Sequence, residues 1–268
     1  MSEHLRPITT YRAFLAALLS DRERFFEEVV DSVALPTKLR HAVVTIVGLS
    51  AFFGLVAGAY SGPAQALSSA IKLPFLFFAT FLICFPAFFV VQVLVGSRLR
   101  LLQVIVLVFG SLALTSVLLA AFVPITLFFL VTGANYYFQH LLNIAIAGVA
   151  GLFGLYALHE GLSLVCEKRG VYPRKALTIM RAWAVLFAFV GIQLAWNLRP
   201  FLGDRSEPFR IIGNYQGNFY AAILYATKQL FAGDPRAAPA GTPAEPPPVP
   251  VLPFDTAADS ARPRSNRP

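Results

Sequence analysis

The strongest constraint on the fold of this chain is a stretch of 58 residues, from Leu101 to Leu158, that contains no Asp, Glu, Lys or Arg. Helices and strands of water-soluble proteins carry at least one polar or charged face, and this stretch has none. Only 13% of the whole chain is charged, whereas soluble proteins average about 25%. The sequence therefore predicts an all-α integral membrane protein.

Five apolar runs approach the roughly 20 residues that a helix needs to cross a bilayer. The predicted spans cover residues 42–60, 73–96, 101 to about 130, about 139–158, and about 182–198. The third span is longer than a crossing needs, so we expect either a tilt or a bend near Pro124, and the turn into the fourth is predicted at 132–135. Together the five spans form a predicted transmembrane domain at 42–198.

Three segments flank this domain. An N-terminal segment occupies residues 1–41, an interfacial segment follows the last span at 199–233, and a tail occupies 234–268. Ten of the 35 tail residues are proline, a composition that cannot bury a core and that predicts disorder. Within the interfacial segment, residues 219–231 are predicted to form a short helix whose aromatic residues suit a membrane surface.

Positive charge is distributed unequally between the two predicted sides of the membrane. Thirteen Lys and Arg residues flank the spans on the side of the N-terminus, and four flank them on the other side: Lys72, Arg199, Arg205 and Arg210. By the positive-inside rule, this predicts a cytoplasmic N-terminus and an extracytoplasmic C-terminus. The alternative is a re-entrant fifth segment, which would return the tail to the cytoplasm. Because the charges lie beside apolar runs, as insertion requires, we expect no nucleic-acid binding.

Residues 10–34 are predicted to form one amphipathic helix. Its apolar residues recur at helical spacing, and its charged residues take the other face. The apolar set is Phe14, Leu15, Leu18, Phe25, Phe26, Val29 and Val33. One interpretation is a helix that lies on the membrane surface or packs across the ends of the bundle, and the other is a docking face for a cytoplasmic partner.

No catalytic or cofactor motif stands out. His159 and Glu160 begin the HExxH pattern of zinc metalloproteases, but Ser163 occupies the position of the second zinc ligand. The cysteines and histidines have no metal-ligand spacing, so we expect no metal, no cofactor and no enzyme activity. The His159–Glu160 pair is interpreted either as a proton- or ligand-responsive switch or as an interface pair that faces a nearby basic residue: Arg98, Arg100 or Arg181.

Uncharged polar residues gather at the predicted outer ends of the fourth and fifth spans. Three- and four-residue spacing places them on shared helix faces, and an arginine follows them. The cluster consists of Gln139, His140, Asn143, Gln193, Asn197 and Arg199. It is interpreted either as hydrogen-bonding contacts between helices or as a site for a small external ligand.

Small residues at four-residue spacing predict close approach of helices. Gly54 and Gly58 form such a pair in the first span. Gly151 and Gly154, each four residues after an alanine, continue the pattern in the fourth. Packing within one bundle and association of two chains as a homo-oligomer both fit this pattern.

Three short strings of this chain resemble a group of bacterial polytopic inner-membrane proteins of unknown function. They are Ile-Lys-Leu-Pro at 71–74, Ile-Cys-Phe-Pro at 83–86, and Trp-Asn-Leu-Arg-Pro-Phe-Leu-Gly at 196–203. Some members of that group are labelled as actin-binding WH2 proteins. Here Leu-Pro-Thr-Lys at 35–38, after the N-terminal helix, is an incomplete form of that pattern.

The five-span plan with a cytoplasmic N-terminus also resembles the Yip1-like architecture. Tyr-Ser-Gly-Pro at 60–63 is similar to an element of that superfamily, although Gly58 and Ala59 stand where its members carry an acidic residue. The resemblance to the bacterial group implies a bacterial inner (plasma) membrane protein, and the Yip1-like resemblance implies a non-enzymatic role in membrane organisation or partner recruitment. We therefore predict a scaffold or adaptor that contacts membrane lipids and binds a protein partner at residues 10–34 or at the C-terminal tail. A small-solute transporter or channel component is the alternative.

Overall fold

The computed structural model of the chain describes residues 7–94, 100–133, 135–169, 174–203 and 219–232. All regular secondary structure in these ranges is helical, so the all-α prediction is confirmed. The helices are α1 (Tyr11–Ser20), α2 (Arg22–Val30), α3 (Leu35–Gly58), α4 (Pro63–Leu94), α5 (Leu101–Ala121), α6 (Val123–Val131), α7 (Tyr136–Arg169), α8 (Arg174–Asn197) and α9 (Phe219–Ala232). The predicted disordered tail at 234–268 lies outside the described residues.

Four apolar stretches in the described residues are long enough to cross a bilayer, so the chain is a helical membrane protein. They are Leu35–Gly58 in α3, Pro63–Val90 in α4, Leu101–Val131 across α5 and α6, and Tyr136–Leu164 in α7. The sequence predicts a fifth at 182–198. There the described apolar stretch of α8 is Ala182–Asn197, which is shorter than the other four.

Helix α4 begins at Pro63, ten residues before the predicted start of the second span at 73. The sequence suggests a boundary at Lys72 because a charged side chain is costly in lipid. The helix nevertheless continues through Lys72, as it does through Pro74 and Pro86. Lys72 is therefore a buried residue of α4, only 7% exposed, and not a loop residue.

Helix α5 lies at the centre of the bundle. In the span formed by α5 and α6, 72% of the apolar window is buried inside the protein, against 22% to 44% in the other three spans. The helix is interrupted close to Pro124, since α5 ends at Ala121 and α6 begins at Val123. Pro124 lies in the first turn of α6, where its missing N–H removes no helical hydrogen bond.

Three of the four predicted packing glycines lie at close helix crossings. A Cβ atom on Gly54 would be only 2.5 Å from the carbonyl oxygen of Ser69, so α3 and α4 meet through their backbones. Gly58 packs against α4 in the same way one turn later, and Gly154 packs against α5. Gly151 faces outward, with no described atom within 4 Å of its Cβ position.

Candidate functional site

Residues 11–30 form two helices, which corrects the prediction of one amphipathic helix over 10–34. Asp21 separates them. Its backbone N–H donates to the Ala17 carbonyl at the end of α1, and its carboxylate accepts from the Arg24 N–H (3.4 Å) at the start of α2. Asp is a favoured helix N-cap, and helical periodicity alone does not reveal such a break. We call α1 and α2 the N-terminal hairpin.

The N-terminal hairpin is packed into the bundle by its apolar face. The ring of Phe25 lies against Gly110 of α5, and the ring of Phe26 lies against Gly161 of α7. A Cβ atom at either glycine would come within 2.7 Å of the ring, so the two glycines provide the space that the rings fill. The hairpin residues with no exposed surface are Phe14, Leu18, Phe25, Phe26 and Val29.

A buried ion pair joins the N-terminal hairpin to α3. Lys38 Nζ donates to Glu28 Oε2 (2.8 Å) and to the Val33 carbonyl (2.5 Å), and Lys38 has no exposed surface. Glu28 Oε2 also accepts from the Ile8 N–H (3.0 Å), and Glu28 Oε1 pairs with Arg24 Nε at 3.4 Å. Loss of the Glu28 carboxylate would leave the Lys38 ammonium buried without its counter-ion.

Gln103, in the first turn of α5, binds the end of α2. Its Nε2 donates to the carbonyls of Val29 (3.1 Å) and Val30 (2.6 Å) and to Ser32 Oγ (3.0 Å). Carbonyls at a helix C-terminus lack partners within the helix, and Gln103 supplies one from α5. The sequence does not point to this residue, because its partners on α2 and the following turn lie at least 71 positions away in the chain.

Glu160 pairs with the N-terminal hairpin. Its Oε2 lies 3.6 Å from Arg22 Nη1, at the start of α2, and the Arg22 guanidinium lies 5.9 Å from the centre of the Tyr156 ring. The predicted partners were three other arginines, of which the side chains at positions 98 and 181 lie outside the described residues. His159 is half-buried, and its backbone carbonyl accepts from Ser163 Oγ (2.9 Å).

At the opposite end of the bundle, the predicted polar cluster divides into separate contacts. Gln139 is fully buried, and its Nε2 donates to the Thr126 carbonyl on α6 (3.4 Å). Both amide atoms of Asn143 are buried one turn further along α7. On α8, Asn197 Nδ2 donates to the Gln193 carbonyl (3.0 Å) of its own helix, at an exposed position.

His140 and Arg199 belong to an aromatic group at this end. The His140 ring stacks on Tyr136 at 6.0 Å between centroids, and Arg199 is within electrostatic range of His140. The Arg199 guanidinium lies 3.5 Å from the centre of the Trp196 ring. Burial lowers the pKa of Arg199, and the nearby Tyr136 acts in the opposite direction. The structure thus brings His140 and Arg199 together, while Gln139 and Asn143 face the bundle interior.

Residues 198–203, which we call the strap, fold back onto the first turns of α4. Gln65 Nε2 (2.6 Å) and Lys72 Nζ (3.0 Å) both donate to the Pro200 carbonyl, and Ser69 Oγ donates to the Phe201 carbonyl (2.5 Å). The three donors share one face of α4 because they are spaced by four and three residues. Two of the strings that carry the family resemblance, 71–74 and 196–203, are therefore in contact.

The described part of α8 follows α4 in the antiparallel direction. Trp183 stacks on Phe88 at 3.9 Å, and its indole N–H donates to the Cys84 carbonyl (3.3 Å). From Trp183, α8 continues to Asn197, and the strap that follows it contacts Gln65 through the Pro200 carbonyl. The part of α4 between positions 65 and 88 is about 35 Å long at 1.5 Å per residue, which is similar to the roughly 30 Å hydrocarbon core of a bilayer.

The described residues contain no group of three or more His, Cys, Asp or Glu side chains that could hold a metal ion. What they provide is ion pairs and hydrogen bonds that join distant segments at the two ends of the bundle. Comparisons with known proteins find no matching family model, no matching curated protein and no matching solved structure.

Proposed function

We propose that the chain is a non-enzymatic membrane scaffold that recruits a protein partner through the N-terminal hairpin. The observation that supports this most directly is the complete burial of Phe25 and Phe26 against α5 and α7. It fixes α2 on the bundle and turns the charged face of α2 outward. A helix that anchors a protein to lipid would instead keep its apolar face for the membrane. The excess of Lys and Arg beside this end of the spans supports a cytoplasmic position for the N-terminal hairpin.

The outward charge on α2 suggests the chemistry of the partner. Glu23, Glu27 and Asp31 follow one another at four-residue spacing, and we call them the acidic row. Glu23 and Asp31 are exposed, and Glu27 is half-buried. Electrostatic complementarity favours a partner with a Lys- and Arg-rich segment. By contrast, Leu35 and Lys38 of the WH2-like string are buried, so the proposal does not depend on them.

Neutralising the acidic row is expected to reduce partner recovery at least tenfold, because a charged surface governs both encounter and register with a basic partner. The variant is Glu23→Gln with Glu27→Gln and Asp31→Asn. The full chain is purified in mild detergent through a tag at residue 268, and co-purifying proteins are quantified by mass spectrometry. The triple substitution is more specific than deleting residues 10–34, since the deletion would also remove fully buried side chains and disturb the packing of the bundle.

The matched control is Arg12→Gln, which changes an exposed charge on α1 without touching the acidic row. It should leave partner recovery unchanged. An unaltered set and amount of co-purifying proteins in the triple variant would contradict the proposed docking face. Equal losses in the triple variant and in Arg12→Gln would contradict it as well, because the effect would not then be specific to the acidic row.

We propose in addition that α8 and the strap complete a fifth membrane crossing, which places the C-terminus outside the cytoplasm. The antiparallel course of α8 along α4, over about 35 Å, supports this topology. With Cys84 and Cys166 replaced by Ala, Pro268→Cys is expected to react with a membrane-impermeant maleimide in intact spheroplasts. Ser2→Cys, the control, should react only after lysis. Protection of Pro268→Cys until lysis would rule out the fifth crossing.

A further inference from the structure

The membrane-spanning helices satisfy their buried hydroxyl groups locally. All eight buried Ser and Thr side chains of the described spans donate to a backbone carbonyl. Seven of them use the carbonyl four positions earlier in the same helix, an arrangement that is common for hydroxyls in helices. Because lipid offers no water to an unpaired polar group, such internal hydrogen bonds are more important for a helix in a membrane than for a helix in water. The amides of Gln139 and Asn143 on α7 differ from this pattern.

Three atoms of these two amides are buried and have no hydrogen-bond partner among the described residues: Gln139 Oε1, Asn143 Nδ2 and Asn143 Oδ1. Gln139 has no exposed surface. Its Nε2 already donates to the Thr126 carbonyl, so its Oε1 is the atom that needs a donor. Asn143 is partly exposed as a residue while both of its amide atoms are buried, so the amide points inward.

The spacing of the two amides fits a small bridging group. Residues four apart on a helix lie on one face, with Cβ atoms about 5–6 Å apart. An oxygen about 2.8 Å from each of two amide groups spans that distance. Leu142 and Ile146, on neighbouring positions of α7, belong to an apolar cluster with Val123 at the start of α6. A charged ligand there would be buried against apolar side chains, which is strongly unfavourable.

We propose that α6 and α7 enclose a binding site for a small, uncharged hydrogen-bonding group. The group donates to Gln139 Oε1 and accepts from Asn143 Nδ2, and Asn143 Oδ1 is left for a second donor. A water molecule has this chemistry, and so does the hydroxyl group of a lipid or of a neutral solute. The site goes beyond the scaffold role and does not depend on it, because it lies at the opposite end of the bundle from the N-terminal hairpin.

The direct test is an experimental structure of the full chain in lipid nanodiscs, at a resolution that shows ordered water. Density is expected within about 3.2 Å of both Gln139 Oε1 and Asn143 Nδ2. A single round peak would identify water, and elongated density would identify the hydroxyl of a solute or lipid. Either result supports the site. An empty position, or a direct hydrogen bond between the two amides, would overturn it.

Thermal unfolding provides a second test. Asn143→Leu is expected to lower the apparent melting temperature by about 3–6 °C, because the bound group loses the Asn143 amide as a partner. An unchanged or higher melting temperature would overturn the proposal, since removing unpaired amide atoms from an empty site is stabilising. Asn143→Ser, which leaves room for a second water, should lose less than half as much. The matched control is Asn197→Leu, at an exposed position on α8, with a change of about 1 °C or less.

Discussion

Glu28→Leu is expected to lower the free energy of unfolding by about 3–5 kcal/mol, which is the usual cost of removing one partner of a buried ion pair. The substitution leaves the Lys38 ammonium enclosed, and among the described residues it keeps the Val33 carbonyl as a hydrogen-bond acceptor. It also removes the acceptor of the Ile8 N–H. The measurement is unfolding of the full chain in mixed detergent micelles titrated with sodium dodecyl sulfate.

Two further variants separate the ion pair from a general effect of adding leucine to α2. Glu23→Leu, on the exposed side of the same helix, should change the free energy of unfolding by about 0.5 kcal/mol or less. The double variant Glu28→Leu with Lys38→Met should recover much of the loss, because neither charge then has to be buried. A double variant as unstable as the sum of the two single variants would show that the two charges are not coupled.

Gly54→Val is expected to lower the free energy of unfolding by about 3 kcal/mol, the upper part of the range for overpacking. Its Cβ atom would lie 2.5 Å from the carbonyl oxygen of Ser69 and 3.2 Å from the Cα atom of Ala70. These are backbone atoms of α4 that cannot rotate away, so α3 and α4 must separate. The same detergent titration measures the effect.

The matched control for this crossing is Gly148→Val. It places the same side chain on an exposed face of α7, where no described atom lies within 4 Å of the Cβ position. Its expected effect is about 0.5 kcal/mol or less. Equal losses at Gly54 and Gly148 would show that the cost arises from valine in a helix and not from the contact between α3 and α4.

Local signals are sufficient to predict most of the helical plan. Apolar length predicts the four spans that the structure contains, because lipid requires long uncharged helices. Pro124 predicts an irregularity at the place where α5 gives way to α6, through a property of its own backbone. The short helix predicted at 219–231 is confirmed as α9, Phe219–Ala232. Each of these depends on residues that are close together in the chain.

The contacts of the candidate site depend on residues that are far apart, and local patterns do not predict them. Gly110 has large residues, Val106 and Leu114, four positions away on either side, so it lacks the small-residue spacing that drew attention to Gly54. Its role follows only from Phe25, 85 positions earlier in the chain. Likewise Glu160 pairs with Arg22 because the N-terminal hairpin is packed onto α7, which hydropathy does not reveal.

The strap also determines when the contacts of α4 can be completed during synthesis. Lys72 enters the membrane with α4, but the Pro200 carbonyl that accepts its hydrogen bond is 128 residues later in the chain. At about 5–20 residues per second, roughly 6–26 s of translation separate the two events. During that interval the Lys72 ammonium lacks the strap and depends on water or lipid headgroups. A nascent chain that stops before residue 200 therefore keeps a charged amine uncovered at the start of α4, which distinguishes it chemically from the finished protein.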